Sequence, residues 1–442
     1  MGRPIPAGIT AFGCLLFFLI PFPAFAGLLD IAGTVSQRYK FRTTGSLEDH
    51  DLETVLTANA GNRSDRLAAF LNVGGRFDLN RPSSAPTYSS VYDSFDNQAV
   101  VRLYSAYLDL KDAGPVALWR TGRQHRFDFE SLYFDGASLE GDPIGPFTVT
   151  AFGGAPVHLF ENPIGFDWGD WLAGGALAWE PLKNFQTRFD YAHVKDKVTG
   201  FRASVGDQED DLFAGSVWWD PVEPMTLQGR FTSFSDQVRD TSAGIRLRLP
   251  KELTLRVDFF RLLKGYDVRV IEWDIFGNAG TYQPYSEFSI QVSKGFGQLA
   301  VDGGFTLRAL DQEEIASAFN HGYERGFLTA STTDLFWEGL GLTATADYYH
   351  GEDNALRNDN LGGSFSATQS FWEKRLEATA GTAYFLYRFN FFTGNESDDL
   401  QTYFARLRSK IWRDLEGRIG YELEHNDFNN FHTVDLRLSW SF

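Results

Sequence analysis

The last nine residues of the chain alternate strictly between apolar and polar side chains. From Val434 to Phe442 every even position is apolar or aromatic, and every odd position is polar. This period of two indicates a β-strand with two different faces, and the strand continues to the last residue of the sequence. A transmembrane β-barrel accounts for such an ending, because its final strand pairs with its first and its outward aromatic side chains lie at the membrane interface.

The two aromatic residues of this strand, Trp440 and Phe442, support the same interpretation. The ending resembles the C-terminal signal of Gram-negative outer-membrane proteins, which usually finish on Phe. The resemblance implies that Trp440 and Phe442 act as a membrane-insertion signal read by the barrel-assembly machinery. It also implies that the chain crosses the cell outer membrane many times, with outer-membrane lipid and lipopolysaccharide as partners.

The first 26 residues, 1–26, have the pattern of a cleavable secretory signal peptide. Arg3 precedes an apolar stretch from Ile9 to Ile20, and Ala24-Phe25-Ala26 supplies a cleavage site of small residues before Gly27. The single cysteine, Cys14, lies inside the apolar stretch. The mature protein is therefore expected to have no thiol, which excludes disulfides, cysteine-ligated metals and haem attached through its own cysteines.

Residues 27–442 are predicted to form one domain of the all-β class, a single large antiparallel transmembrane β-barrel. A mean hydropathy of -0.26 does not argue against this, because only alternate residues of a barrel strand face lipid. The aromatic content of 16% and the 43 glycines fit the aromatic girdles and tight turns of a barrel. Alternating segments recur every 15 to 25 residues or so, which predicts about 18–22 strands. The clearest are Ile31–Phe41, Leu67–Leu79, Leu227–Phe234, Leu253–Phe260, Leu299–Arg308, Tyr403–Ile411, Leu415–Leu423 and Val434–Phe442.

Two kinds of connection alternate between these segments, as barrel topology requires. Short connections are predicted to be periplasmic: Lys251-Glu252, Gly295–Gly297 and Arg413-Asp414. Longer polar connections are predicted to be extracellular: Asn80–Asn97, Gly154–Asp170, Lys195–Asp210, Gly265–Tyr285, Asp311–His321, His350–Asn360 and Thr393–Leu400. Their acidic runs are interpreted as solvated loops, with bridging to lipopolysaccharide through divalent cations as the alternative.

The polar face of the predicted strands is rich in arginine. A charged side chain facing lipid at mid-membrane would cost about 2–4 kcal/mol, so these residues are predicted to line the pore. They are Arg66, Arg76, Arg230, Arg246, Arg248, Arg256, Arg308, Arg406, Arg408, Arg418 and Arg437. Two interpretations stay open: cross-strand ladders of Arg with Asp or Glu that support a wide lumen, and an excess of positive charge that favours anions.

One local stretch of about 40 residues is more specific. Val101–Leu110 contains R-L-Y-S-A-Y, Trp119–Gln124 contains G-R-Q, and Phe134–Ala137 reads F-D-G-A. This order of three strands resembles alginate-export-type barrels and related proteobacterial porins, in which the strands project polar groups into the pore. The resemblance implies that Arg123 and Asp135 lie in the lumen, within reach of each other.

The residues that most enzymes need are not arranged in any recognisable motif. The eight histidines are scattered, and no H-E-x-x-H, G-x-S-x-G, P-loop or dinucleotide-binding pattern occurs. The chain is therefore expected to be no enzyme and to bind no metal or cofactor. A formal net charge of -18 argues against nucleic acid as a partner, because binding to phosphates requires a basic surface.

Three functional hypotheses remain. The leading one is a porin-like outer-membrane channel that passes small, anionic solutes. The second is a β-barrel sheath around separate multihaem cytochromes, periplasmic or at the cell surface, in an extracellular electron conduit. The third, which rests only on the local resemblance, is an exporter of an acidic polysaccharide.

Overall fold

The chain folds into a closed antiparallel β-barrel of 22 strands, at the upper end of the predicted number. The computed structural model describes residues 30–61, 65–79, 99–126, 132–157, 169–196, 208–235, 237–263, 284–312, 322–351, 359–390, 395–426 and 429–442. The predicted signal peptide, residues 1–26, lies outside the described residues. No helix in the described part of the chain is long and apolar enough to cross a membrane.

Each strand pairs with the next one along the chain, and β22 returns to pair with β1 over ten residue pairs. The strands are β1 (Ile31–Thr44), β2 (Leu47–Ala60), β3 (Leu67–Asp78), β4 (Ala99–Ala113), β5 (Val116–Arg126), β6 (Leu132–Gly141), β7 (Phe147–Pro156), β8 (Trp171–Leu182), β9 (Phe185–Asp196), β10 (Gln208–Val222), β11 (Met225–Phe234), β12 (Gln237–Leu249), β13 (Leu253–Leu262), β14 (Tyr285–Phe296), β15 (Leu299–Leu310), β16 (Tyr323–Thr333), β17 (Leu340–Gly351), β18 (Asp359–Phe371), β19 (Leu376–Asn390), β20 (Asn395–Lys410), β21 (Leu415–His425) and β22 (Asn430–Ser441).

The predicted short and long connections lie at opposite ends of the barrel. The three short ones join strands at the end where β1 begins and β22 ends, which is the periplasmic end by the usual rule. The seven long ones join strands at the other, extracellular end. Much of these long connections, including residues 80–98 and 264–283, lies outside the described residues.

Five of the predicted extracellular loops extend into strands, and the overlap is largest in Lys195–Asp210 and Thr393–Leu400. Asn395 to Leu400 belongs to β20 and pairs with β19, and Gln208 to Asp210 belongs to β10 and pairs with β9. Backbone hydrogen bonds hold these ends in the sheet whatever the polarity of their side chains, so a strand can extend past its apolar part.

The sequence pattern did not single out β2. Its lumenal positions include Asp49, Asp51 and Glu53, which alternate with His50 and other residues of the outer face. Charged residues dominate the lumenal face of β2, and its outer face is only partly apolar. The segment therefore lacks the alternation of apolar and polar residues from which the strands were predicted.

The outer face of the barrel carries aromatic rings at the ends of the strands. On β7 to β10, Phe147, Trp179, Phe185 and Trp219 form a continuous series near the periplasmic end, with ring centroids 6.0–6.5 Å apart. Near the other end, Tyr191 and Phe213 have ring centroids 4.8 Å apart. Such girdles at two levels, with exposed apolar side chains between them, mark a surface that faces lipid.

The last residue of the chain closes the barrel. The N–H of Gly33 donates to the carbonyl oxygen of Phe442 at 2.9 Å, and the N–H of Phe442 donates to the carbonyl oxygen of Gly33 at 3.0 Å. The ring of Phe442 lies over Gly33, and a Cβ at position 33 would be 2.5 Å from its Cζ atom. Trp440 and Phe442 both lie on the outer face, with ring centroids 5.3 Å apart.

Candidate functional site in the lumen

Most arginines on the lumenal face are paired with a carboxylate on the same or a neighbouring strand. This face is the one opposite the exposed apolar side chains. Among the pairs are Arg120–Asp109 at 2.7 Å, Arg188–Asp190 at 2.8 Å and Arg325–Asp347 at 2.8 Å. Arg120–Asp109 and Arg325–Asp347 each join two neighbouring strands, as in the cross-strand ladders that one interpretation of the sequence proposed, whereas Arg188–Asp190 lies within β9.

The predicted pore-lining residues occupy several different environments. Six are ion-paired: Arg76 with Asp51, Arg256 with Asp258, Arg308 with Glu287, Arg406 with Glu422, and both Arg408 and Arg418 with Glu416. Arg230 lies between Ser216 and Ser242 of the adjacent strands, Arg246 and Arg248 lie on β12 opposite Arg256 and Thr254, and Arg66 immediately precedes β3. That each of them lines the pore stays a prediction.

Arg123 and Asp135 form a pair, but this pair is buried in the barrel wall. Arg123 donates from Nε and Nη2 to the two carboxylate oxygens of Asp135 at 2.8 and 2.6 Å, and from Nη1 to the carbonyl oxygen of Leu103 at 3.1 Å. Its side chain is only 2% exposed. The backbone pairing of β4 with β5 stops at Ala106 and Arg123, so the guanidinium binds a carbonyl beyond the end of that pairing. This position differs from the open lumenal site that the resemblance implied.

Replacing Asp135 with asparagine is expected to lower the free energy of unfolding by about 3–5 kcal/mol, because it leaves the charge of Arg123 buried without a counter-charge. The matched control is Asp347→Asn, because its partner Arg325 is 54% exposed. This substitution should lower the free energy of unfolding by about 1 kcal/mol or less. Urea unfolding in lipid vesicles measures both. Equal losses in the two variants would contradict the structural role given to the buried pair.

The closing strands carry a different arrangement, in which four arginines stand directly opposite one another. The register pairs Arg408 of β20 with Arg418 of β21, Arg418 with Arg437 of β22, and Arg437 with Arg38 of β1. We call these four residues the arginine row. Like charges directly opposite each other on neighbouring strands repel, so this arrangement is unfavourable unless negative charge lies nearby.

Carboxylates balance only part of the arginine row. Glu416 accepts hydrogen bonds from Arg408 at 2.8 Å and from Arg418 at 2.7 Å, and Asp435 accepts one from Arg38 at 2.6 Å. Arg437 has no ion-pair partner among the described residues, and its buried Nε has no hydrogen-bond acceptor there. The row therefore has an unbalanced positive charge at Arg437.

The arginine row lines a recess of about 620 Å³ in the lumenal wall, which we call the arginine recess. Its basic side chains are Arg38, Lys40, Arg406, Arg408, Arg418 and Arg437, and its acidic ones are Glu377, Glu422 and Asp435. Six basic and three acidic groups give it a net positive charge. A cleft lined mainly by one sign of charge, with walls of low dielectric constant, concentrates the opposite ion.

Two of the six basic residues of this recess, Arg38 and Lys40, were not among the predicted residues. A usable signal was present in the sequence, because Arg38, Lys40 and Arg42 alternate with Tyr39 and Phe41. The same period-two argument that assigned Arg437 to the lumen also assigns these residues. What the alternation does not reveal is that Arg38 lies opposite Arg437, since their register depends on barrel closure.

No group of three or more potential metal ligands occurs among the described residues. The sequence-based expectation that the chain has no metal or cofactor is not tested by this observation and stays a prediction.

Comparison with known proteins supports the fold. No family model and no curated protein matches the chain. Among solved structures, a mutant of the ferric enterobactin receptor PfeA from Pseudomonas aeruginosa is 10% identical, with a TM-score of 0.55 over 93% of this chain and 80% of that one. The chain shares the β-barrel fold of that protein. At this level of identity the likeness extends to the fold alone.

Two further solved structures are similar to this chain. The copper transporter OprC is 10% identical, with a TM-score of 0.54 over 94% of this barrel and 81% of that chain. The Pseudomonas aeruginosa protein OpdK, solved with vanillate, is 12% identical, with a TM-score of 0.47 over 93% of this barrel and 98% of that chain. The comparisons give no support to the alginate-export resemblance.

Proposed function

We propose that the barrel is a porin-like channel for small hydrophilic solutes and that it favours anions. The observation that carries this proposal is the arginine row, in which Arg437 stands opposite Arg418 and Arg38 without a carboxylate of its own. A mobile anion that passes the row supplies the negative charge that the wall lacks. Rings or rows of arginine are a common means of anion selection in membrane channels.

The ladder and the arginine row have complementary roles in this proposal. Paired arginines such as Arg325 and Arg120 hold neighbouring strands together and contribute little net field, because each carries its own aspartate. The arginine row differs because its charge is not balanced. The sign of the selectivity is therefore expected to depend on a few residues of β20, β21, β22 and β1 rather than on the total number of lumenal arginines.

The proposal is tested by the reversal potential of the purified barrel in a planar bilayer with a KCl gradient. The wild-type barrel is expected to favour chloride over potassium, and Arg437→Gln to reduce this preference. Arg325→Gln is the matched control, because its guanidinium is also lumenal but is paired with Asp347, and a smaller change is expected. A wild-type barrel that favours potassium, or that does not conduct, would refute the proposal.

The comparisons do not favour the two alternative functions, the sheath of a cytochrome conduit and the exporter of an acidic polysaccharide. A sheath filled by its cytochromes would be insulating, so the bilayer experiment also separates it from a channel.

We further propose that the barrel-assembly machinery inserts the chain through the closing strand and that lipopolysaccharide surrounds the outer rim of the barrel. We also propose that the protein has no enzymatic activity.

A further inference from the structure

A second feature of the lumenal wall lies about halfway round the barrel from the arginine row. Trp218 on β10 pairs in register with Gln186 and Gln228, both on the lumenal face, and its side chain is 44% exposed. Its neighbour Trp219 is similarly exposed, at 41%, but lies on the outer face in the aromatic girdle. Contact with lipid accounts for the exposure of Trp219 on the outer face. It does not account for the exposure of Trp218, because this large aromatic side chain lies on the lumenal face.

Trp218 lines a recess of about 700 Å³, which we call the Trp218 recess, together with Phe260 of β13. Both rings are held in place. The indole N–H of Trp218 donates to Asp220 at 3.3 Å. Phe260 lies against Tyr285, with ring centroids 5.5 Å apart, and the guanidinium of Arg308 covers Tyr285 at 4.2 Å.

The wall between the two rings is polar and consists partly of small residues. Ser216 and Ser242 lie on either side of Arg230 in one row of the sheet. In the next row, Gln228 donates to Asp258 at 3.4 Å across Gly244, where a Cβ would be 2.6 Å from the amide nitrogen. The small residues leave room above the sheet, and the polar side chains offer both donors and acceptors.

Of the five charged residues that line the Trp218 recess, four are ion-paired, and the fifth, Arg230, lies between Ser216 and Ser242. Arg188 is paired with Asp190, and Arg256 with Asp258. A simple anion therefore has little to gain here, and a purely apolar ligand would cover polar groups without satisfying them. The features that remain are two fixed aromatic rings with hydroxyl, amide and carboxylate groups between them.

We propose that the Trp218 recess binds a short oligosaccharide built of pyranose rings. A pyranose has apolar C–H faces that pack on aromatic rings and a rim of hydroxyl groups that hydrogen-bond to a polar wall. Trp218 and Phe260 are three strands apart, which at about 4.8 Å per strand is about 14 Å. This separation exceeds the size of one sugar ring, so the ligand that reaches both aromatic side chains has more than one ring.

The test is ligand-observed NMR with the folded barrel in detergent and maltotriose, a neutral trisaccharide, as the probe. We expect millimolar binding to the wild-type barrel and at least about a tenfold weakening in Trp218→Ala, because one aromatic stacking surface is lost. Trp219→Ala is the matched control and should bind as the wild-type barrel does, since Trp219 lies on the outer face. Trp218→Phe should retain most of the binding, which distinguishes a stacking role from a structural one.

Three outcomes would overturn the proposal: no binding of maltotriose to the wild-type barrel, equal binding by Trp218→Ala, or equally tight binding of benzoate, which would indicate a site for aromatic compounds. The measurement does not depend on conduction, so its result stands even if the anion channel is refuted. The reversal potential of Trp218→Ala should equal that of the wild-type barrel.

Discussion

Replacing both Arg418 and Arg437 with glutamate is expected to reverse the ion selectivity of the proposed anion channel, so that potassium is favoured over chloride. The arginine recess of the wild-type barrel has six basic and three acidic side chains. The double variant has four basic and five acidic ones, so the net charge of the recess changes sign. The measurement is the reversal potential in a KCl gradient.

The size of the effect depends on salt. In water, the interaction energy between one unit charge and a monovalent ion of opposite sign 4 Å away is about 1 kcal/mol. This energy raises the local concentration of that ion by a factor of about five. At 0.1 M salt the screening length is about 10 Å, so the recess influences ions passing along the adjacent wall, and at 1 M it falls to about 3 Å. The reversal is therefore expected to be clearest near 0.1 M KCl and to weaken strongly at 1 M.

A charge-matched control separates the arginine recess from a general change in net charge. Lys374→Glu with Arg413→Glu alters the charge of the chain by the same amount, but both residues lie in periplasmic turns, between β18 and β19 and between β20 and β21. This control should keep most of the anion preference. If it reversed selectivity as fully as the lumenal pair, the recess would not be the selective element.

The sequence predicted the fold class, because it follows from local alternation, whereas the lining of the pore by the closing strands stays a prediction. Arg406, Arg408 and Arg418 occupy the polar face of their strands, and a period of two is sufficient to place them there. The row that these residues form could not be predicted in the same way. It requires the register of β22 with β1, whose residues Arg437 and Arg38 are almost 400 positions apart.

Departures from regular alternation explain why the position of Arg123 was not predicted. The pairing of β3 with β4 shifts register next to Tyr104, and Gly122, directly before Arg123, has a positive φ of 123°. Such irregularities depend on how the strands meet in the sheet rather than on the pattern of either strand. The sequence suggested the partner Asp135 correctly, but not the burial of the pair.

The Trp218 recess was not predicted either, for a different reason. Trp218 and Trp219 are adjacent in the sequence, and only the pairing of β10 with β9 and β11 determines which of the two faces the lumen. Phe260 reaches the same recess from a strand 42 positions away. A pore site made of such residues becomes visible only when the register of all the intervening strands is known.

Closure of the barrel is expected to fail when Gly33 is replaced with valine. A Cβ at this position would be 2.6 Å from the carbonyl oxygen of Thr57 on β2 and 2.5 Å from the ring of Phe442. The ring could turn away, but the carbonyl belongs to the β1–β2 ladder and cannot move without breaking it. We therefore expect little or no folded barrel, measured as loss of the heat-modifiable fast-migrating band on an unboiled gel.

The control for this substitution is Gly326→Val on β16, another strand glycine of the outer face. A Cβ there would meet only the side chain of Phe305, at 4.0 Å, so valine has room and suits a strand better than glycine does. This variant should fold as the wild-type chain does. Normal folding of Gly33→Val would mean that the carbonyl oxygen of Thr57 can move to admit a side chain at position 33, which contradicts the prediction. If Gly33→Val fails and Phe442→Ala does not rescue it, the backbone of β2 is the obstacle. If Phe442→Ala restores folding, the aromatic ring of the last residue is the obstacle.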